Sequence, residues 1–304
     1  MSLRFRLVLH FLFLPLLAQE PFRFIALGDT GSGSPAQQRV ADQMWERMQT
    51  HPFQTVVMLG DNIYGNHEIS GGGDPRFFHD KFDLQYTRFQ ERGVVFHAAV
   101  GNHDMQTDHA QGEIDDQKRF GILGSDGYYK FSAPDSFQVN GRPLMEFFAI
   151  NSELRHEKLT AQVVWLKEEL EKSTAVWKVV FLHHPLYTVR GQHAPAVRLR
   201  EMIEESLKKN HVQLILAGHN HFYARMKPVD DMVQLISGGG GRHLAFPLSD
   251  HCAEISVRKY HFLEVDVYPD KVHVTAIDQY GETFDEKSID EDYLKTPAKG
   301  CPIR

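Results

Sequence analysis

The chain contains 304 residues with a formal net charge of -7, and 42% of them are hydrophobic and 24% charged. This composition is typical of a globular protein with a sizeable core, in one large domain or two small ones. The acidic balance argues against a nucleic-acid or anionic-membrane surface, which would need a basic stripe, but it leaves an anionic small substrate open.

The N-terminal segment predicts a secretory signal peptide. Arg4 and Arg6 precede an apolar stretch over residues 7–18. The stretch is too short to span a bilayer, and a small residue ends it. We therefore predict that residues 1–18 are removed on export, and that the mature protein is secreted or periplasmic, or lysosomal in a eukaryote, without further membrane contact. A buried N-terminal strand and an uncleaved anchor are the alternatives.

Five short apolar runs, each bounded by turn residues, predict buried strands of the parallel type. Helical patterns lie between them. Ser34 and Pro35 predict the N-cap and first position of one helix, and Thr160 is a candidate cap for another. The five runs are FRFIAL (22–27), TVVML (55–59), VVFHAAV (94–100), WKVVFL (177–182) and VQLIL (212–216).

The C-terminal part differs, because three strand-like runs follow one another there without helices between them. This pattern predicts antiparallel pairing. The whole chain is thus predicted to have a mixed α/β (α+β) fold, a four-layer α/β/β/α sandwich of two packed mixed sheets with flanking helices. No repeat or low-complexity linker divides residues 19–304, so we expect one domain. The three runs are MVQLISG (232–238), RKYHFLEVDVYP (258–269) and KVHVTAIDQYGETF (271–284).

The two cysteines, Cys252 and Cys301, are candidates for a disulfide bond if the chain is exported. Such a bond would fasten the C-terminal tail to the body of the protein and stabilise it by about 4 kcal/mol. Two unpaired thiols are the alternative.

Each of the five apolar runs ends in polar residues. The carboxyl ends of strands in α/β sheets converge on one crevice, so these endings are expected to meet there. One such ending alone would be weak evidence, but turn chemistry does not explain all five. The endings are GDTG (28–31), GDNIY (60–64), GNHD (101–104), HHP (183–185) and GHNH (218–221).

These endings supply the ligands of a two-metal site at the strand ends. Oxygen and imidazole nitrogen suit iron, zinc or manganese, and the lack of a thiolate disfavours a structural zinc site. Two metals about 3.5–4 Å apart can hold the attacking and leaving oxygens of an in-line displacement. Asp61, central in the order, is the natural bridging carboxylate. The candidate ligands are Asp29, Asp61, Asn102, His183, His219 and His221.

The five motifs resemble those of the purple acid phosphatases, within the larger calcineurin-like metallophosphoesterase superfamily. The resemblance extends from about Phe22 to about Gly241, and it is greatest to the small, tartrate-resistant acid phosphatase-like form. It implies that residues 19–304 are one metallophosphoesterase domain. Less familiar stretches share in it: DPRFFHDKFD (74–83), GYYKFSAP (127–134), AQVVWLKEEL (161–170) and LISGGGG (235–241).

The resemblance implies a role for each ligand. Tyr64 could be an ordinary core aromatic, but in this family the tyrosine at its position binds a ferric ion. The implied centre is therefore a Fe³⁺ ion with a second, divalent metal, which is Fe, Zn or Mn. The implied ligands are Asp29, Tyr64 and His221 for the ferric ion, Asn102, His183 and His219 for the divalent ion, and Asp61 as the bridge between them.

Two further histidines are implied to act in catalysis. His103 follows Asn102 directly and corresponds to a family histidine that contacts the substrate and helps the leaving group depart. The alternative is a residue that only packs behind the ligands and has no chemical role. His193 resembles the family's second acid/base histidine, although it lies one residue further from His183 than in the mammalian form.

The sequence therefore predicts a secreted, binuclear acid phosphatase that hydrolyses small phosphate monoesters or phosphoproteins by attack of a metal-bound hydroxide. Three alternatives stay open. One is a phosphodiesterase or phosphoprotein phosphatase with two divalent metals. Another is a catalytically inactive metal- or phosphate-binding protein. The third is redox work that generates oxygen radicals at a mixed-valence iron pair. We expect no nucleic-acid partner. The run Gly238–Gly241 fits either a close backbone approach to the site or a plain turn.

Overall fold

The computed structural model describes residues 20–66 and 71–296. The predicted signal peptide and Cys301 lie outside these ranges, so neither the cleavage nor the disulfide is tested by the structure. Within the described ranges, no helix has both the length and the apolar character needed to cross a bilayer.

Fifteen strands and seven α-helices make up the described part of the chain. The strands are β1 (Phe22–Leu27), β2 (Thr55–Met58), β3 (Val95–Ala98), β4 (Tyr129–Ser132), β5 (Gln138–Val139), β6 (Arg142–Pro143), β7 (Met145–Ile150), β8 (Trp177–Leu182), β9 (Leu214–Ala217), β10 (Tyr223–Met226), β11 (Val233–Ser237), β12 (Ala253–Val257), β13 (His261–Val267), β14 (Val272–Asp278) and β15 (Thr283–Ile289). The helices are α1 (Pro35–Thr50), α2 (Leu84–Gln90), α3 (Gln111–Asp115), α4 (Gln117–Phe120), α5 (His156–Lys172), α6 (Val197–Lys209) and α7 (Glu291–Leu294).

The strands form two large mixed sheets. The six-stranded sheet has the order β15-β14-β13-β1-β2-β3, and the seven-stranded sheet has the order β12-β10-β11-β9-β8-β7-β4. Strands β1, β2 and β3 run parallel, as do β7, β8, β9 and β11. The remaining pairings are antiparallel. A two-stranded ribbon of β5 and β6 stands apart from both sheets.

Apolar side chains on alternate strand positions hold the layers together. Phe147 of β7 packs edge-on against Phe24 of β1, with ring centroids 5.0 Å apart, and so joins the two sheets. The next residue, Phe148, points to the opposite face and belongs to a core cluster with residues of α5 and α6. On the far side, Phe89 of α2 packs on Phe96 of β3. The predicted α/β/β/α sandwich is confirmed.

Local sequence signals explain most helix ends, but not all of them. The Oγ of Ser34 accepts a hydrogen bond from the backbone N–H of Gln37, which confirms the predicted cap of α1. The prediction for Thr160 was wrong. Helix α5 begins at His156, one turn earlier, and the hydroxyl of Thr160 instead donates to the carbonyl of His156 inside the helix.

The predicted antiparallel character of the C-terminal part is confirmed for β13, β14 and β15, and only in part for β11. Strand β11 pairs antiparallel with β10 but parallel with β9, in register from Val233 opposite Leu214. It reaches that place after the antiparallel strand β10, so a hairpin rather than a helix makes the connection. The run MEFFAI, which forms the buried strand β7 between β8 and β4, was not identified from the sequence.

The ends of both sheets meet at one edge of the sandwich. The backbone N–H of Gly28, after β1, donates to the carbonyl of Ser237 in β11 at 2.8 Å. Within the seven-stranded sheet, Gly218 after β9 donates to the carbonyl of His183 after β8 at 3.0 Å, which joins two of the five polar loops. These bonds place strand ends of both sheets side by side, as expected where strand ends converge.

Candidate metal centre

Three of the candidate ligands have a left-handed backbone conformation that residues other than glycine rarely adopt. The φ angles of Asp29, Asp61 and His219 are 58°, 51° and 67°. Such conformations are unfavourable and concentrate at functional sites, where the surrounding structure holds them in place. Each of the three residues directly follows a strand and a glycine, so the chain turns sharply there and aims the side chain into the crevice.

Asp29, Tyr64 and His221 form one group of converging atoms. The hydroxyl of Tyr64 lies 3.1 Å from Asp29 Oδ1 and 3.3 Å from His221 Nε2, and the last two atoms are 3.2 Å apart. All three side chains are buried. The structure therefore places Tyr64 in the crevice with the predicted ligands, although it is also among the largest buried side chains of the fold.

Asp61, Asn102, His183 and His219 form the second group. His183 is its centre, because its Nε2 lies 3.4 Å from Asp61 Oδ1, 3.2 Å from Asn102 Oδ1 and 3.1 Å from His219 Nδ1. The two groups are contiguous, since ligand atoms of Asp29, Asp61 and His221 all lie within 4.8 Å of one another. All seven predicted ligands are thus brought together.

Backbone carbonyl groups fix the tautomers of two of these histidines. His183 Nδ1 lies 2.9 Å from the carbonyl oxygen of Leu59, and His221 Nδ1 lies 2.9 Å from that of His243. A carbonyl oxygen can only accept a hydrogen bond, so the proton of each neutral ring sits on Nδ1. The Nε2 lone pairs therefore point into the centre, as they do in metal-binding histidines.

This donor set fits a pair of cations. Oxygen and nitrogen lone pairs lie 3.1–3.4 Å apart around the centre, and such an arrangement needs positive charge to offset their repulsion. Burial lowers the pKa of His183, but the charge of Asp61 outweighs it and raises that pKa to about 10. Burial and the charge of Asp29 raise the pKa of Tyr64 well above its usual range, so only a strong Lewis acid would bind it as a phenolate.

A second layer of buried carboxyl groups supports the centre, and the sequence alone did not reveal it. The amide of Asn62 donates to Asp104 and Glu113 at 3.1 and 2.9 Å. Asp104 in turn accepts hydrogen bonds from the backbone N–H groups of Ile63 and Gly101, which belong to the loops that carry Asp61 and Asn102. Burial raises the pKa of Asp104, and the charge of Asp61 raises it further, to about 7.

The two predicted catalytic histidines lie on opposite sides of the centre. The ring of His103 is 4.6 Å from that of Tyr64, and its backbone N–H donates to Asp61 Oδ1 at 2.9 Å. The ring of His193 stacks at 4.2 Å on that of His219. Its longer spacing from His183 therefore still brings His193 to the site.

Gln192 and His184 also contact the ligands. The Oε1 of Gln192 accepts a hydrogen bond from the backbone N–H of His221 at 2.8 Å, a contact between distant loops that no sequence pattern signalled. His184 is held by Glu153 and Ser152, and its ring packs 3.9 Å from that of His219. Both residues position ligands rather than joining the converging atoms.

The glycine run between β11 and the following loop closes tightly on the site. A Cβ on Gly240 would lie 2.4 Å from the carbonyl oxygen of Gly28, and one on Gly238 would lie 2.1 Å from that of Asn220. Backbone contacts that close exclude any side chain. Of the two interpretations left open by the sequence, close backbone approach is the one the structure supports.

The fold and the converging donor set together define a metal-dependent phosphoesterase. The profile described as "Calcineurin-like phosphoesterase" matches residues 22–223, and the chain belongs to that family.

Curated relatives of the chain carry the name purple acid phosphatase. Purple acid phosphatase 3 and purple acid phosphatase 17 of Arabidopsis thaliana are 27% and 28% identical over 233 and 234 residues, each over 72% of this chain. The matches cover 62% and 68% of those relatives. The Fe(3+)-Zn(2+) purple acid phosphatase 12 of the same plant is 25% identical over 78% of this chain and 49% of its own length.

Solved structures with the same fold differ in what they do. GAP50, described as the anchor in the inner membrane complex of Plasmodium, has a TM-score of 0.77 at 17% identity, covering 90% of this chain and 89% of its own. Purple acid phosphatase PPD1 from yellow lupin (Lupinus luteus) seeds has a TM-score of 0.71 at 16% identity, covering 92% of this chain and 56% of its own. These likenesses establish the fold alone.

Proposed function

We propose that the protein is a binuclear acid phosphatase that hydrolyses phosphate monoesters. The observation that carries the proposal is the convergence of seven side chains into two contiguous groups of lone-pair atoms, one of which contains a tyrosine hydroxyl. Names of the curated relatives agree with it, and the iron and zinc in one of those names support Fe³⁺ with a divalent Fe, Zn or Mn ion.

Each ligand has a proposed place. When bound, the metal pair would supply Lewis acidity for the phosphoryl group and an activated water as nucleophile. The group of Asp29, Tyr64 and His221 would hold the ferric ion. Asn102, His183 and His219 would hold the divalent ion, and Asp61 would bridge the two.

His103 and His193 are the proposed proton-transfer groups. His103 lies beside Tyr64 and is oriented by a contact between its Nδ1 and Gln106 Nε2 at 3.0 Å. That contact leaves its Nε2 free to give a proton to the departing oxygen. His193 is fixed by a hydrogen bond from its backbone N–H to Asn220 Oδ1 at 2.9 Å.

Export remains part of the proposal. The signal-like residues 1–18 support it, and mass spectrometry of the protein secreted by its own cell would show a mature chain beginning near residue 19. An intact N-terminus on intracellular protein would contradict export. The same measurement under non-reducing conditions shows whether Cys252 is bonded to Cys301.

Two other functions fit the same scaffold less well. A phosphodiesterase or phosphoprotein phosphatase with two divalent metals does not require a phenolate ligand, whereas Tyr64 is buried among the ligand atoms. An inactive binding protein would not need the full ligand set, and all seven side chains are present and correctly turned here.

The first experiment records the visible absorption spectrum and metal content of metal-replete wild type and of Tyr64→Phe. A phenolate bound to a ferric ion gives a charge-transfer band that colours the protein violet, so we expect this band in the wild type and its loss in the variant. Tyr129→Phe is the matched control, because Tyr129 is equally buried but its hydroxyl donates to the carbonyl of Ala98.

The spectra are paired with hydrolysis of p-nitrophenyl phosphate and of its bis ester at acidic and neutral pH. The proposal expects monoester hydrolysis that is fastest in acid. A colourless but active wild type would replace it with the two-divalent-metal phosphoesterase, and a metal-loaded protein without any hydrolytic activity would favour the binding protein.

A further inference from the structure

Arg242 lies at the mouth of the candidate metal centre. Its guanidinium carbon is 4.5 Å from the centroid of the Tyr64 ring. Its backbone N–H donates to the carbonyl oxygen of Asp29 at 2.9 Å, so the residue is anchored to the loop that follows β1. The glycine run before it fits closely against the same loop. The fold therefore holds a permanent positive charge beside two of the proposed ligands.

The guanidinium of Arg242 has no anionic partner within the described part of the chain. No described residue forms a hydrogen bond or an ion pair with it. The guanidinium packs on the ring face of Tyr64. Burial lowers the pKa values of Lys81, His103 and His243, and the charge of Arg242 lowers each of them further, so three basic groups lie near it. Five N–H donors in a rigid fork are thus available to a ligand.

A groove leads away from Arg242 along the start of α1. Its volume is about 430 Å³. Arg39, Arg242 and His243 line it, and none of the described lining residues is a carboxylate. The first turn of the 16-residue helix α1 also faces it, which adds the positive end of a helix dipole. This basic groove stands out on a chain whose net charge is -7.

The groove and the metal centre share a wall. The ring of His243 lies 5.4 Å from that of His221, and the carbonyl of His243 fixes the tautomer of that ligand. Arg242 approaches the ring face of Tyr64 rather than the converging lone pairs. An anion bound to Arg242 would therefore lie next to a phosphate on the metals, not in its place.

We propose that Arg242 and the groove form a subsite for a second anionic group of the substrate, so that the protein favours compounds with two neighbouring phosphates over simple monoesters. Arg242 is the residue that determines this specificity, through a bidentate contact to the second phosphate. The proposal rests on the phosphatase function proposed above, but only for the position of the first phosphate.

The test measures binding of methylenediphosphonate, an analogue of pyrophosphate that a phosphatase does not hydrolyse, and of inorganic phosphate to the metal-replete protein by isothermal titration calorimetry. In the wild type, the diphosphonate is expected to bind more tightly than phosphate. Arg242→Gln should lower the ratio of the two affinities by about tenfold or more, which is the size of a lost hydrogen bond to a charged group. An unchanged ratio would overturn the proposal.

Arg92→Gln is the matched control, because Arg92 also lies over an aromatic ring, 5.4 Å from that of Trp45, but outside the groove. The affinity ratio of Arg92→Gln should equal that of the wild type. An equal fall of the affinity ratio in both variants would show a general charge effect and overturn the proposed subsite. Arg242→Lys keeps the positive charge but loses the planar guanidinium with its paired N–H donors. It should lose part of the preference, and it serves in place of Arg242→Gln if that variant does not fold.

Hydrolysis of phenyl phosphate and pyrophosphate by the same proteins separates this inference from the proposed function. A selective fall in kcat/KM for pyrophosphate in Arg242→Gln supports both. Monoester hydrolysis with an unchanged affinity ratio keeps the function and removes the subsite. Binding that depends on Arg242 without any hydrolysis keeps the subsite and removes the function.

Discussion

Two buried polar clusters of this fold arrange their charges in opposite ways. In the candidate metal centre, lone pairs of carboxylates, imidazoles and a phenol point at one another. In the second cluster, which we call the Arg225 cluster, one guanidinium forms hydrogen bonds with the carboxylates and the hydroxyl around it. Arg225 binds both oxygens of Asp285, at 2.8 and 2.9 Å, and also Glu254 and the hydroxyl of Tyr293. The hydroxyl of Tyr223 donates to Asp285 at 2.5 Å.

The difference separates a cluster that stabilises the fold from one that needs a ligand. The Arg225 cluster joins β10, β12, β15 and α7 and is closed, so nothing has to bind for its charges to be compensated. The metal centre is compensated only by added protons or added cations. Buried polar groups are ordinarily paired, so a site in which carboxylate and imidazole acceptors outnumber the donors that face them is evidence for function in itself.

The largest expected effect comes from removing the carboxylate of Asp61, which we propose as the bridge between the two metals. Asp61→Asn should lower kcat/KM for a phosphate monoester at least about 1,000-fold, because a two-metal site supplies several kcal/mol of transition-state stabilisation. Its thermal midpoint should also respond less to a chelator than that of the wild type, since a bound ligand at 100 times its Kd stabilises by about 2.7 kcal/mol. Equal chelator sensitivity in the two proteins would argue that Asp61 does not bind metal.

Breaking the Arg225 cluster should cost stability instead of activity. Arg225→Met leaves Asp285 buried without its partner, so the free energy of unfolding should fall by about 3–5 kcal/mol, measured by urea denaturation. The chelator response should remain that of the wild type. Lys209→Met is the control. Its ion pair with Glu171 is largely exposed, and we expect a loss below about 1 kcal/mol. A strong loss of activity in folded Arg225→Met would remove the distinction between the clusters.

His261 lies between the two clusters and makes the fold sensitive to acid. Its Nδ1 donates to the carbonyl of Lys259, its Nε2 accepts from the hydroxyl of Ser237, and its ring contacts Tyr223. Burial lowers its pKa to about 4. A histidine in an unfolded chain has a pKa near 6.5. Below that pH the unfolded state therefore binds a proton that the folded state does not bind.

The free energy of unfolding should therefore fall by about 3 kcal/mol as the pH falls from about 6.5 to about 4, and this contribution should level off below that range. His261→Asn should show a shallower slope, measured by urea denaturation at a series of pH values. His211→Asn, at an exposed position, should keep the wild-type slope. Identical slopes in all three proteins would assign the acid sensitivity to other groups.

The smallest expected effect comes from replacing one of two similarly placed tyrosines with phenylalanine. Tyr64 and Tyr223 are both fully buried, and each donates to an aspartate. Tyr223→Phe should lose about 1 kcal/mol of stability, as expected for one hydrogen bond, and keep its metal content. Tyr64→Phe should change the visible spectrum and the metal affinity. The reverse pattern would mean that Tyr64 is a core residue and Tyr223 the functional one.

Much of the fold followed from local patterns. The runs that form β1 and β8 were predicted to the residue, because both are continuous apolar segments bounded by turn residues. Strand β7 was not predicted, although it is fully buried, since MEFFAI begins with a methionine and a glutamate and is interrupted by that charged residue. The direction of β11 was not predicted either, because it depends on pairing with β9, beyond the intervening strand β10.

The convergence of the candidate ligands could be predicted because each of them lies in a loop that follows a strand, and strand ends converge in any fold of this class. The supporting residues could not be. Gln192, Asp104 and Glu113 act through hydrogen bonds to other loops, and Arg242 follows a glycine run with no motif of its own.

The sequence by itself determined which residue types stand at the strand ends, and therefore the class of chemistry. Only the tertiary structure decided which lone pairs face each other, which tautomers the histidines adopt and where an unpaired guanidinium lies. The physical reason is that ligand identity is encoded locally, by a residue and its strand. Hydrogen-bond geometry and charge compensation depend on chain segments up to about 200 residues apart, such as Asp29 and Arg242.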